Sequence, residues 1–209
     1  MFDAQLFADV NGLASATPWL HLTLLVYASY GIALFAALLL AGWWVARGRA
    51  SPTAMAKALW APAGMLIALG INQLIVDAVH EPRPYATLPG ILVLAPRTLD
   101  PSFPSDHAVV AGAVTAGLFL ADRRLGWTSA VAAVVMAFAR VYVGAHYPHD
   151  VAAGLVVGAA LSLLGYLALR HLLERLVALA ARTPLWPLVT SAPPDARSGR
   201  GPSSHFQAR

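Results

Sequence analysis

The chain has 209 residues, of which 58% are hydrophobic and only 11% charged. A soluble globule carries about a quarter charged residues, so this stock cannot cover a water-facing surface, and disorder or simple nucleic-acid binding is excluded on the same ground. There is no cysteine, which excludes disulfides and thiolate metal centres, and the formal charge of +4 (14 Lys+Arg against 10 Asp+Glu) gains meaning only from where the charges lie.

In chain order, residues 2–14 place Phe2, Leu6, Val10 and Leu13 at helical spacing among polar neighbours, which predicts an interfacial helix within 1–18. It does not read as a cleavable signal, because no Lys or Arg precedes Arg47. A crossing helix needs about 20 mostly apolar residues. Spans are expected near 19–46, 53–79, 107–121, 126–144 and 150–170, with a tight hairpin at Asp122-Arg123-Arg124. The expected fold is an all-α polytopic membrane bundle of about five helices, in one integral-membrane domain over 1–182. From Thr183 the chain turns rich in Pro, Ser, Gly and Arg, and 183–209 is expected to be a disordered tail.

Placing the loop 47–57, the turn 122–124 and everything after 170 on one side collects 11 of the 14 basic residues there. The positive-inside rule makes that side cytoplasmic and puts the N-terminus outside. Only Arg83, Arg97 and Arg140 lie on the outer side, where Asp3, Asp9, Asp77, Glu81, Asp100, Asp106 and Asp150 also fall. The outer arginines break the charge rule and so call for a reason. Arg83 follows a helix stopped by Pro82 and Pro84. Arg140 ends the fourth span, and Ser102-Phe103-Pro104-Ser105-Asp106-His107 opens the third. Topology alone brings two guanidiniums, a serine and several histidines to one face.

Such a set suits phosphoryl chemistry. Guanidiniums hold phosphate oxygens through paired hydrogen bonds at any working pH. The start of the third span adds free N–H groups and a positive dipole end. A histidine can attack phosphorus while a carboxylate on its other ring nitrogen fixes the tautomer, and His146 and Asp150 have the spacing to meet in that way. A second histidine would protonate the leaving oxygen and then activate water. No metal or cofactor is called for.

The chain resembles the type 2 phosphatidic acid phosphatase superfamily of membrane lipid phosphatases. The family's motifs are Lys-x6-Arg-Pro, Pro-Ser-x-His and Ser-Arg-x5-His-x3-Asp. They appear here as Arg83-Pro84, Pro104-Ser105-Asp106-His107 and Arg140-x5-His146-x3-Asp150. Asp106 in the second motif, Val143-Gly144-Ala145-His146-Tyr147-Pro148 and the opening Leu6-Phe7 and Asn11-Gly12-Leu13-Ala14 segment narrow the resemblance to the undecaprenyl-diphosphatase branch linked with bacitracin resistance. That branch implies hydrolysis of undecaprenyl diphosphate to the monophosphate at the outer leaflet of the bacterial plasma membrane, recycling the cell-wall lipid carrier. It implies His146 as the nucleophile forming a phosphohistidine, Asp150 as its orienting partner and His107 as general acid and base. Arg83, Ser105, Asp106 and Arg140 would bind the phosphoryl group, Asp106 through its N–H with its side chain capping the helix or turned aside. Two positions depart from the family pattern: Val76 stands where it has Lys, leaving Arg97 or His80 as substitutes, and Ala139 replaces a serine.

Other readings stand beside this one. The departure at Val76 motivates a sister enzyme acting on phosphatidic acid or phosphatidylglycerol phosphate, and a non-catalytic lipid-binding or transport bundle is the alternative from another class. His146, His149 and Asp150 would suit zinc, although two arginines beside a metal work against it. His149 alone reads as a surface residue. Gly154, Gly158, Ala159 and Ser162 suit close helix packing, within one bundle or in a homodimer.

Overall fold

In a computed structural model that describes residues 2–191, the chain is a helical bundle with no strand among those residues. Its elements are α1 (Phe2–Ala16), α2 (His21–Tyr30), α3 (Ile32–Gly48), α4 (Pro52–Val79), α5 (Pro84–Thr87), α6 (Asp106–Ala121), α7 (Arg123–Tyr142), α8 (Pro148–Ala180) and α9 (Trp186–Val189). The boundaries follow local chemistry. Ser51 caps α4 ahead of Pro52 by accepting from the Ala54 N–H at 3.4 Å. Asp122 caps α7 by accepting from the Arg124 and Leu125 N–H groups at 2.9 and 3.2 Å. The Leu125 N–H and the Arg49 side chain together hold the Asp122 carboxyl below the usual carboxylate range.

α4, α7 and α8 are each long and apolar enough to cross a membrane, and α2 with α3 makes a fourth crossing if the bent pair is one span. The expected single span over 19–46 is therefore broken, with a 54° bend at Gly31. The apolar run is unbroken in sequence, but a side chain at Gly31 would collide with the Met136 methyl and the Tyr27 ring. α6, with 16 residues, covers about 24 Å, short of the roughly 30 Å hydrocarbon core. It packs against α3, α4, α7 and α8, so protein rather than lipid surrounds most of it. Its face is nearly all Ala, Gly and Val, and ten of its residues are buried.

α6 and α8 meet almost backbone to backbone. A Cβ at Gly158 would overlap the Val109 carbonyl oxygen, and one at Gly112 would overlap that of Leu155. Gly154, Gly158 and Ser162 are buried, so the small-residue face of α8 is used inside the bundle, against α6 and Trp60. Gly158→Ala is expected to destabilise the fold by about 1–3 kcal/mol, because there is no side chain at the contact to give way. A fall in the thermal unfolding midpoint in detergent would register this, and an unchanged midpoint would contradict the contact.

Two termini differ in detail from expectation. α1 buries Phe7, Asn11 and Ala14 against the bundle while Leu6 and Leu13 stay exposed, so its packed stripe is not the apolar stripe read from sequence. The segment expected to begin a disordered tail instead folds back: Trp43 donates to the Leu188 carbonyl at 2.9 Å, the Ser191 N–H donates to the Arg47 carbonyl at 3.2 Å, and Val189 is buried. The rest of that tail, 192–209, lies outside the described residues.

Candidate active site

All seven expected site residues gather at one end of the bundle, delivered by four segments. α4 ends at His80 in a left-handed conformation (φ 52°), which turns the chain into Glu81-Pro82-Arg83-Pro84. Ser105 precedes the first turn of α6, Arg140 lies in the last turn of α7, and His146 occupies the connection to α8, whose first turn holds Asp150. That connection is pinned at Gly144 (φ 75°), where any side chain would press on the Leu92 carbonyl. The Leu94 N–H donates to the Val143 carbonyl at 3.0 Å. Asn11 of α1 clamps Leu92 from the other side with hydrogen bonds of 2.7 and 3.0 Å.

His146 is 3% exposed, and its two nitrogens have distinct surroundings. Nδ1 lies 2.9 Å from the Ser102 carbonyl oxygen, which can only accept, so Nδ1 carries the proton. Nε2 lies 3.2 Å from Arg83 Nη1 and 3.1 Å from Arg140 Nη2, which can only donate, so Nε2 presents a lone pair. Burial pushes the imidazole down to about 4, with Arg140 and Arg83 adding to the fall and the Asp150 side chain opposing it. The ring is thus neutral at ordinary pH, with its free nitrogen set between two guanidiniums.

Asp150 is fully buried behind this ring. Its Oδ2 accepts from Ser102 Oγ at 2.5 Å and from the Tyr147 N–H at 2.8 Å, and stands 3.5 Å from His146 Nδ1. The contact expected between His146 and Asp150 is therefore an ion-pair distance, and the Ser102 carbonyl is the nearer acceptor. Ser102 is the residue that sequence reading left without a role. It lies within the second motif segment, but nothing in its spacing predicts a reach of 44 and 48 residues to His146 and Asp150.

The arginines are built in rather than splayed toward headgroups. Arg83 donates to the Asp100 carbonyl at 2.9 Å and to that of Ala145 at 3.1 Å. Arg140 Nη1 donates to the Ala28 carbonyl at 3.2 Å, one of the terminal carbonyls that the end of α2 leaves without a helical partner. Arg140 Nε and Ser105 Oγ are buried with no hydrogen-bond partner among the described residues. Buried donors of this kind are costly unless something satisfies them. Ser105 makes no side-chain cap on α6, in contrast to Asp122 on α7, so the first N–H groups of α6 stay available. Asp106 turns aside as expected: its Oδ1 accepts from Asn72 at 2.7 Å and from Gln73 at 3.0 Å, both on α4.

Arg83, Asp106, His107, Arg140 and His146 line a cavity of about 580 Å³, together with Gln73, Val76, Asp77 and the loop residues Pro96, Thr98 and Asp100. Val76 itself faces the cavity, so an apolar side chain occupies the place of the family lysine. Neither proposed substitute lines it. Arg97 is exposed and lies 5.7 Å over the Tyr85 ring, and His80 is exposed beyond the end of α4. Among the described residues the cations at the cavity are Arg83 and Arg140.

The arrangement offers an imidazole nitrogen with a lone pair, a second histidine in the cavity lining and two fixed cations, which together suit transfer of a phosphoryl group. Comparison with known proteins points the same way. The PAP2 superfamily profile matches residues 57–173. Undecaprenyl-diphosphatase BcrC of Bacillus subtilis (strain 168) is 31% identical over 73% of this chain and 77% of its own length. A decaprenylphosphoryl-5-phosphoribose phosphatase of Mycobacterium tuberculosis is 39% identical over 48% of this chain and 55% of its own. The crystal structure of Aquifex aeolicus LpxE superposes with a TM-score of 0.59 at 20% identity, covering 78% of this chain and 94% of that one, and shows the shared fold.

Proposed function

Because this chain belongs to the PAP2 superfamily of membrane phosphatases, we propose that it hydrolyses undecaprenyl diphosphate to the monophosphate through a phosphohistidine on His146. The observation that carries this reading is the lone pair of His146 Nε2, buried at the cavity between Arg83 and Arg140.

In this mechanism the terminal phosphoryl group lies between the two guanidiniums, with further hydrogen bonds from Ser105 Oγ and the first N–H groups of α6, that of Asp106 among them. Nε2 attacks phosphorus as the P–O bond to the lipid monophosphate breaks, and His107 gives the departing oxygen a proton. Water then attacks phosphorus while His107 takes a proton from it, and the phosphorus–nitrogen bond breaks with its electron pair returning to Nε2, releasing inorganic phosphate and restoring His146. Nδ1–H stays on the Ser102 carbonyl throughout, and the Asp150 carboxylate stabilises the positive charge that the ring gains on attack. Every step uses side chains of this protein. The domain over 1–182 is placed with this end at the outer face of a bacterial plasma membrane, a reading supported by the eleven basic residues assigned to the other side.

A second reading, a sister phosphatase for phosphatidic acid or phosphatidylglycerol phosphate, is favoured by Val76 at the cavity wall, where a cation for the second phosphate is lacking. Purified protein given the three lipids, with and without excess chelator, separates the readings. Undecaprenyl diphosphate is expected to win in kcat/KM by about tenfold or more, about 1.4 kcal/mol of transition-state binding, with no loss in chelator. The reverse preference would sink the first reading, and activity lost to chelator would sink the metal-free mechanism.

A further inference from the structure

Three carboxylates from separate parts of the chain converge on one imidazole beside the site. His149 Nδ1 lies 2.8 Å from Asp3 of α1. Its Nε2 lies 3.0 Å from Glu81, on the linker after α4, and 3.2 Å from Asp150 Oδ1. Carboxylates only accept hydrogen bonds, so both ring nitrogens carry protons and the ring is an imidazolium. It is stacked between Phe103 and Tyr147, each 5.6 Å away, an arrangement that suits a cation. The His149 backbone N–H also donates to Asp3 at 2.9 Å. Among the described residues these contacts account for the charged groups facing the ring: Asp3 from α1, Glu81 from the linker and Asp150 from its own helix, with Phe103 and the Tyr147 ring stacked against it.

The cluster touches the reaction centre through Asp150. Ser102 and Tyr147 occupy Oδ2 of that carboxylate, whereas Oδ1 is buried with no aligned hydrogen-bond donor. An uncompensated carboxylate in that place is costly, and the nearest positive charge is His149. The Glu81 carbonyl in turn accepts from the Ser102 N–H at 2.7 Å, so the same cluster fixes the residue that holds His146 Nδ1.

We infer that His149 is a positioning residue, an imidazolium that links α1 and Glu81 to Asp150 and so keeps the carboxylate behind His146 charged and in place. The inference rests on His146 being the nucleophile.

The test uses the full chain in detergent micelles with the lipid diphosphate as substrate, comparing His149→Ala, Asp3→Asn and the double variant Glu81→Gln with His149→Gln, beside His146→Ala. His149→Ala is expected to lower kcat by about tenfold with KM within about twofold, since its partner acts on the reacting ring and not on bound lipid. It also removes a cation near His146, so the acid limb of kcat/KM moves to higher pH. Asp3→Asn, on the accessible rim, removes an anion and moves that limb the other way, so a variant that folds keeps the inference testable. The double variant removes one unmatched charge and keeps an N–H donor, and should recover at least half of the lost kcat. A merely structural role would lower yield or melting temperature without moving the limb in opposite directions, and that result overturns the inference, as does unchanged kcat in His149→Ala. Glu81, His149 and Asp150 are also close enough to hold a metal ion. Activity lost to EDTA and restored by Zn²⁺ or Mg²⁺ would overturn the proton-bearing reading. Turnover by His146→Ala would overturn the nucleophile reading itself, whereas a dead His146→Ala beside an unaltered His149→Ala overturns only the inference.

Discussion

Replacing His146 with alanine is expected to lower phosphate release by about four orders of magnitude or more while the protein still folds, because the proposed covalent route loses its nucleophilic nitrogen. Rapid acid-free quenching of the wild type should trap a phosphoryl group that is stable in alkali and released in acid, as a phosphorus–nitrogen bond requires, and the alanine variant should trap none. Measurable turnover in the variant would remove His146 from the mechanism. The protonation state sets a second expectation. In the proposed mechanism the attacking form is the neutral ring, present above its pKa of about 4, so kcat/KM should fall as pH drops through about 4 and not near the ordinary histidine value. An acid limb close to pH 6.5 would contradict the buried, arginine-flanked setting. The same shift bears on the fold. The unfolded chain binds a proton at higher pH than the buried ring does, so stability is lost as pH falls from the unfolded value toward about 4.

Arg140 is the next largest effect. It donates to Ala28 of α2 and to His146 Nε2 from one planar group, and its Nε is buried with no partner among the described residues. Arg140→Ala is expected to cost kcat/KM about 100- to 1000-fold, in line with removing a fixed donor aimed at developing charge. Arg140→Lys should recover less than about tenfold of that loss, because an ammonium cannot span both partners and a phosphate oxygen at once. The loss should fall mainly on kcat, with weaker inhibition by inorganic phosphate. A lysine variant with wild-type kcat/KM would show that charge alone is enough there.

Much of the site was legible in the sequence because its parts are short and local. Arg83-Pro84 and Pro104 to His107 each lie at one helix end, and Arg140 to Asp150 spans only the short connection between α7 and α8, so spacing goes far in deciding which residues face together. The apolar runs placed α4, α6 and α7 nearly to their observed limits. What stayed hidden depends on contacts across the fold. The bend at Gly31 lies inside a uniform apolar run, and one of the side chains packed against that glycine is Met136, more than a hundred residues away. His149 looked like a surface histidine because Asp3 and Glu81, 146 and 68 residues distant, carry no spacing signal. The fold-back at 183–191 depends on Trp43 and Arg47, which composition cannot pair with a proline-rich segment. The lysine missing at position 76 was visible, but that neither Arg97 nor His80 takes its place required the cavity's lining to be known.

The glycine seam between α6 and α8 has a mechanical side. Where backbone rests on backbone there is no side chain to change rotamer, so the floor that carries Ser105, His107 and Asp150 is a stiff plate. Around it, α1, the linker 80–105 and α2 are fastened by side-chain hydrogen bonds from Asp3, Asn11 and Arg140. Compliance in this molecule is therefore concentrated in the rim and withheld from the floor. In the proposed reaction a bulky lipid would meet yielding walls while the reacting atoms keep their alignment.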